Sequence, residues 1–121
     1  MKCRKILLVE DDESIRDVIE FALTHHGYSV TFAANGEEAL RQLHDSREPY
    51  LILLDLMMPV MDGWELAKHM SLDSRLDNYP IVVLTASGEN IESIPFKEIL
   101  KKPIDVKRLY ETVDRYAEHV G

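Results

Sequence analysis

A few polar side chains stand at the ends of apolar runs, and their types suit the handling of a phosphoryl group. Asp55 closes the run Leu51-Ile52-Leu53-Leu54, and Glu10 and Asp11 follow the run Ile6-Leu7-Leu8-Val9. Thr85 follows Ile81-Val82-Val83-Leu84, and Lys102 stands just before Pro103, after another short apolar segment. Gathered in one pocket, three carboxylates repel one another, so either some take up protons or a cation compensates them. Hard oxygen ligands favour Mg2+ or a similar ion, with water completing the coordination. An ammonium group offers a point charge to an anion and a hydroxyl offers a hydrogen bond. An aspartate can itself be the nucleophile and become an aspartyl-phosphate, with metal and lysine neutralising the transferred oxygens.

These residues meet only if the run ends converge, and the alternation of patterns supplies the means. Lys5 to Val9 reads as a strand covered on both faces. A helix follows from about Glu13 to His25, with Ile15, Val18, Ile19, Ala22 and Leu23 at helical spacing, Asp12 as cap and Gly27 as terminator. Ser29 to Ala33 reads as the second strand. The next helix begins after Asn35, which has capping-box spacing to Glu38, and runs to about His44. Leu51 to Leu54 is the third strand, followed by a helix from Asp62 to about Ser71. Ile81 to Leu84 is the fourth strand. Ser87 to Ile94 has room for one or two helical turns, bracketed by Gly88 and Pro95. A fifth strand over about Lys97 to Leu100 precedes a last helix from Asp105, with Val106, Leu109 and Val113 on one face.

Strand and helix in alternation imply a parallel sheet with helices on both faces. Right-handed crossovers put all strand C-termini on one edge, where open α/β sheets bind their ligands. Glu10, Asp11, Asp55, Thr85 and Lys102 all fall just past such an end.

The 121 residues, without internal repeat or linker, read as a single domain over 1–121 with no attached output domain. A net charge of −8 argues against nonspecific binding to DNA or to an anionic membrane. The lone Cys3 cannot form an intramolecular disulfide, which fits a reducing cytoplasm. No run suggests a signal peptide or a membrane span. No Cys/His spacing suits zinc; His25 and His26 fall at the far end of the first helix. Nucleotide-binding glycine loops are missing.

Four stretches closely resemble the receiver domains of two-component response regulators. They are Ile6-Leu7-Leu8-Val9-Glu10-Asp11-Asp12, then Leu53 to Gly63 around Asp55, Leu84-Thr85-Ala86, and Lys102-Pro103. The resemblance spans essentially the whole chain, in order. It implies a flavodoxin-like doubly wound sheet with strand order 2-1-3-4-5. It makes Asp55 the phosphoacceptor, with Asp11 binding Mg2+ directly, Glu10 through water, and the Met57 carbonyl as a further ligand. Thr85 would hydrogen-bond the phosphoryl group and shift with it. Lys102, ahead of a cis peptide to Pro103, would pair with Asp55 and then with the phosphate. The donor would be phosphohistidine on a sensor histidine kinase or histidine phosphotransfer protein, and a downstream protein target would read the switch. Direct nucleic-acid binding is not expected. The chain would be an enzyme only in taking part in its own phosphorylation and dephosphorylation.

Plainer readings stand beside these. Asp12 and Asp62 are read as helix caps, Met57, Met58 and Met61 as packing or loop-covering sulfurs, and Trp64 as a packing residue. Lys101 and Lys102 read more plainly as a solvated charge pair, although the following proline and the strand-end position favour Lys102 as the inward one. Competing functions are an interaction module that never turns over phosphate, and a Mg2+-dependent aspartyl-phosphate phosphohydrolase. The hydrolase lacks an acid two residues after Asp55, where Met57 stands, and a substrate-recognising cap. Two departures from the resemblance concern output. Thr85 and Lys102 stand closer in sequence than is usual, so the fourth helix should be short, irregular or mobile, with Pro95 reinforcing this. Ile99 occupies the position where many receivers carry a rotating aromatic, and Phe96 lies nearby.

Overall fold

Alternate residues of the central strands feed two separate apolar layers, and this divides the helices between the faces of the sheet. The computed structural model describes residues 5–86, 91 and 93–117. In chain order the elements are β1 (Lys5–Val9), α1 (Glu13–His25), β2 (Ser29–Ala33), α2 (Gly36–Asp45), β3 (Leu51–Asp55), α3 (Gly63–Ser71), β4 (Ile81–Thr85), β5 (Glu98–Lys101) and α4 (Val106–Ala117). All strand pairs are parallel and the order is β2-β1-β3-β4-β5. The parallel sheet expected from the alternation, and the doubly wound order that the resemblance implies, are therefore present.

Leu7 and Val9 of β1, Ile52 and Leu54 of β3 and Val83 of β4 pack with Ala39 and Leu43 of α2 and Leu66, Ala67 and Met70 of α3. Ile6, Leu8, Leu51, Leu53, Val82 and Leu84 point the other way, onto Ile19 and Leu23 of α1 and Leu109 and Val113 of α4. Every residue of β3 and β4 is buried, as expected of strands covered on both faces.

The helix starts follow the local signals. Asp12 accepts from the Ile15 N–H at 3.1 Å, Asn35 from Glu38 at 3.0 Å and Asp62 from Glu65 at 2.9 Å. Each satisfies an amide that the first turn leaves without a helical partner. Gly27 closes α1 with φ of 96°, a left-handed conformation that glycine adopts without Cβ crowding.

The helical turns expected between Ser87 and Ile94 lie mostly outside the described residues. Of that stretch, Ile91 and Ile94 pack against the α2/α3 layer, and the Ile94 N–H donates to the Ile91 carbonyl at 3.4 Å. No described helix is long and apolar enough to cross a membrane.

Candidate functional site

Parallel pairing brings the predicted residues to one edge. β3 ends at Asp55, between β1, which is followed by Glu10 and Asp11, and β4, which ends at Thr85. Thr85 pairs with Lys101, and the Lys102 N–H donates to the Thr85 carbonyl at 2.8 Å. The peptide between Lys102 and Pro103 is cis. Lys101 is exposed, whereas Lys102 is largely covered and turned into the site. His25 and His26 lie at the opposite edge, where His26 Nε2 meets Asp114 Oδ2 at 2.9 Å.

Glu10 is fully buried and Asp55 is 4% exposed, while Asp11 stands open to solvent. One carboxylate oxygen from each lies within 4.8 Å of the others. Lys102 Nζ sits 2.8 Å from Glu10 Oε1 and 3.4 Å from Asp55 Oδ1. The Asp12 N–H donates to Glu10 Oε2 at 3.2 Å, and the Met57 N–H to Asp55 Oδ1 at 3.4 Å. Glu10 Oε1 has the Lys102 ammonium as its partner.

One ammonium cannot balance three carboxylates. Burial, the hydrogen bond shared with Glu10 and the Glu10 charge push Asp55 from an ordinary 3.8 up to about 7, against the opposing pull of Lys102 and the Met57 amide. Burial alone would lower the Lys102 pKa, but the hydrogen bond to Glu10 and the charges of Asp55 and Glu10 outweigh it and raise it. An all-oxygen, over-acidic cluster of this kind fits a hard divalent cation.

The β3–α3 loop closes one side of the site. The Gly63 N–H donates to the Leu56 carbonyl at 2.9 Å, and a Cβ on Gly63 would lie 2.7 Å from the Asp55 carbonyl oxygen. Met61 N–H donates to the Pro59 carbonyl at 2.8 Å across Val60, whose φ is 69°. That is a strained γ-turn, costly for a β-branched residue. Met58, Met61 and Trp64 pack against the core, whereas Met57 is exposed.

The sequence pattern described as the response regulator receiver domain matches residues 6–114. The chain belongs to this family. It is 42% identical over 89 residues to the transcriptional regulatory protein AfsQ1 of Streptomyces coelicolor, which covers 74% of this chain and 38% of that protein. It is 41% identical over 110 residues to a probable transcriptional regulator of Porphyra purpurea, covering 87% of this chain and 44% of that one. The chain thus spans under half the length of these curated relatives. Among solved structures, the receiver domain of a sensor histidine kinase from Pseudomonas aeruginosa superposes with a TM-score of 0.88 at 32% identity, over 96% of this chain and 98% of that one. That structure has a magnesium ion in its active-site cleft. The chemotaxis protein CheY4 of Vibrio cholerae gives a TM-score of 0.84 at 32% identity, over 94% and 98%.

Sequence reading did not single out two contacts of this receiver. One is the tie between Gly36 at the start of α2 and Met61. The other is Glu98 of β5, which accepts from Thr112 Oγ1 at 2.7 Å and pairs with Arg115 of α4. A glycine directly after the capping Asn35 was a usable signal for the first; nothing local signalled the second.

Proposed function

We propose that Asp55 is the phosphoacceptor of this receiver and that its phosphorylation switches partner binding or passes the phosphoryl group onward. The reading rests on one observation above the rest: Glu10, Asp11 and Asp55 converge within 4.8 Å beside the Lys102 ammonium. Glu10, Asp11, Asp55 and the Met57 carbonyl would hold Mg2+. Bound there, the ion would neutralise the oxygens of the transferred group and the crowded carboxylates.

The residues of the chain do the rest. An Asp55 carboxylate oxygen attacks the phosphorus of a phosphohistidine on a kinase or phosphotransfer protein. The P–N bond breaks, its electron pair stays on the imidazole nitrogen, and that nitrogen takes up a proton. Lys102, already within reach of Asp55, turns its charge to the new phosphate oxygens. The Thr85 hydroxyl, one strand away, donates a hydrogen bond to the phosphoryl group. Release is attack by water at phosphorus, which returns the Asp55 carboxylate and inorganic phosphate.

The site's surroundings favour a protein donor. Val18, Met57, Val60 and Val106 expose apolar surface around the rim. A groove of about 550 Å3 lined by Ile15, Val18, Pro103 and Ile104 runs up to Lys102.

Intact-mass measurement after incubation with Mg2+ and a small acyl phosphate tests the proposal. A single base-labile phosphoryl adduct is expected, absent in Asp55→Asn and absent with chelator. No adduct with any donor would leave an interaction module that does not handle phosphate. Sustained release of phosphate from many small substrates would point instead to a phosphohydrolase.

A further inference from the structure

The first residue of α2 touches the loop that leaves Asp55. The first amides of a helix have no helical partner. In α2 the N–H of Gly36 finds one outside the helix, the Met61 carbonyl at 2.8 Å. The contact is too close for a side chain. A Cβ on Gly36 would lie 2.7 Å from Met61 Cγ and 2.9 Å from both Met61 Sδ and the Met61 carbonyl oxygen. The carbonyl also faces the positive end of the α2 dipole, which strengthens the bond.

The tie is anchored on its helix side and needed on its loop side. Asn35 Oδ1 accepts from the Glu38 N–H, and Glu38 Oε2 accepts from the Ala34 N–H at 3.3 Å, so the start of α2 is held in place. The loop leaves β3 at Asp55 and is pinned again at Gly63 by the Leu56 carbonyl. Between these points Val60 is 74% exposed in a strained turn and Met57 is largely exposed. Met61, half-buried against the core and bonded to Gly36, is the one point where the outer half of the loop meets another element through its main chain, among the described contacts.

We infer that Gly36 is a positioning residue for the Mg2+ site: through Met61 it fixes the loop that presents the Met57 carbonyl. The inference rests on the reading of Met57 as a metal ligand given above. It predicts that a side chain at position 36 pushes Met61 outward, moves the loop, and weakens metal binding before it alters the chemistry at Asp55.

Mg2+ titration of the full chain, followed by calorimetry or by the fluorescence of Trp64, tests this on wild type, Gly36→Ala and Ile19→Val. Ile19 is buried on the opposite face of the sheet and serves as a control for general loosening. Gly36→Ala is expected to bind Mg2+ on the order of tenfold more weakly, the usual scale for a residue supporting a metal ligand. Ile19→Val should match wild type. Phosphorylation of Gly36→Ala by an acyl phosphate should be slow at low Mg2+ and recover at saturating Mg2+. Should Gly36→Ala not fold, Asn35→Ala loosens the start of α2 without adding an atom beside Met61, and should weaken binding in the same direction. Wild-type affinity in whichever variant folds, or an equal loss in Ile19→Val, overturns the role of Gly36 and leaves the phosphoacceptor reading intact. Failure of wild type itself to bind Mg2+ overturns that reading instead.

Discussion

Removing the Asp55 carboxylate, the proposed phosphoacceptor, should make the metal-free domain more stable at neutral pH. Asp55 titrates at about 7 in the fold against an ordinary 3.8. A raised acid pKa means that the ionised form is disfavoured by folding. The penalty is absent below about 3.8, grows as pH rises through the interval, and is complete above about 7. A gap of about three units corresponds to about 4 kcal/mol at roughly 1.36 kcal/mol per unit. That is a ceiling, because the Glu10–Lys102 pair remains in Asp55→Asn and takes up part of the relief. A gain of about 1–3 kcal/mol is expected at pH 7.5.

Urea unfolding of wild type and Asp55→Asn in chelator, from pH 4 to pH 8, measures this directly. The asparagine variant should have the higher midpoint at pH 7.5, and the two curves should converge toward pH 4. Adding Mg2+ should narrow or reverse the gap, since a ligand held at 100 times its dissociation constant stabilises by about 2.7 kcal/mol and the variant lacks one of the proposed ligands. An asparagine variant no more stable than wild type at pH 7.5 in chelator would refute the electrostatic account of the site. So would a gap that does not shrink in acid.

Other perturbations probe separate parts of the fold. Lys102→Met leaves Glu10 and Asp55 without their cation and should cost about 3 kcal/mol at pH 7, recovered in part by Mg2+, in the same urea assay. Burial pushes Glu98 up, but hydrogen bonds from Thr112 and Tyr116 and the charges of Arg115 and Arg108 outweigh it and hold its pKa below 4.5. Its stabilising charge is therefore present above about 4.5 and lost as pH falls through the lowered folded value. Thermal melts of Glu98→Gln should lie below wild type from neutral pH down to about 4.5 and approach it in stronger acid. Val60→Gly relieves the left-handed φ of 69° and should raise stability by about 1 kcal/mol after the added flexibility of the unfolded chain, read from the urea midpoint.

What the sequence made legible was what depends on near neighbours. The capping aspartates and Asn35 act within three residues, so Asp12, Asn35 and Asp62 marked helix starts correctly. Apolar runs located the strands, and the site residues followed because a parallel sheet puts strand ends on one edge. The fifth strand lies one residue later than expected, at Glu98–Lys101, because its bounds come from pairing with Val82–Thr85. Lys97 instead bonds to the Ile81 carbonyl ahead of the strand. The Gly36–Met61 tie and the Glu98 cluster join residues far apart in sequence; the glycine after Asn35 hinted at a close approach but not at its partner, and nothing local marked the Glu98 cluster. The raised pKa of Asp55 was also invisible as a magnitude, since it depends on how deeply the fold buries Asp55 and Glu10.

The arrangement of β5 limits how a change at Asp55 could reach the rest of the surface. Glu98 and Leu100 face α4, where Glu98 meets Thr112 and Arg115 and Leu100 joins the apolar layer. Ile99 faces the other layer and packs against it, half-buried. A β-branched side chain has little rotamer freedom, so Ile99 cannot swing between inward and outward positions as an aromatic ring can. The main chain offers the shorter route. Thr85 is buried at the end of β4, and its carbonyl accepts from the Lys102 N–H. A shift of Thr85 toward a phosphoryl group would pull on the residue that follows β5 without any rotation at position 99. Hydrogen exchange across β4 and β5, with and without an acyl phosphate, separates the two routes. Thr85→Val should abolish a phosphorylation-dependent change there and Ile99→Val should keep it, and the reverse pattern would place the coupling in the side chain of residue 99.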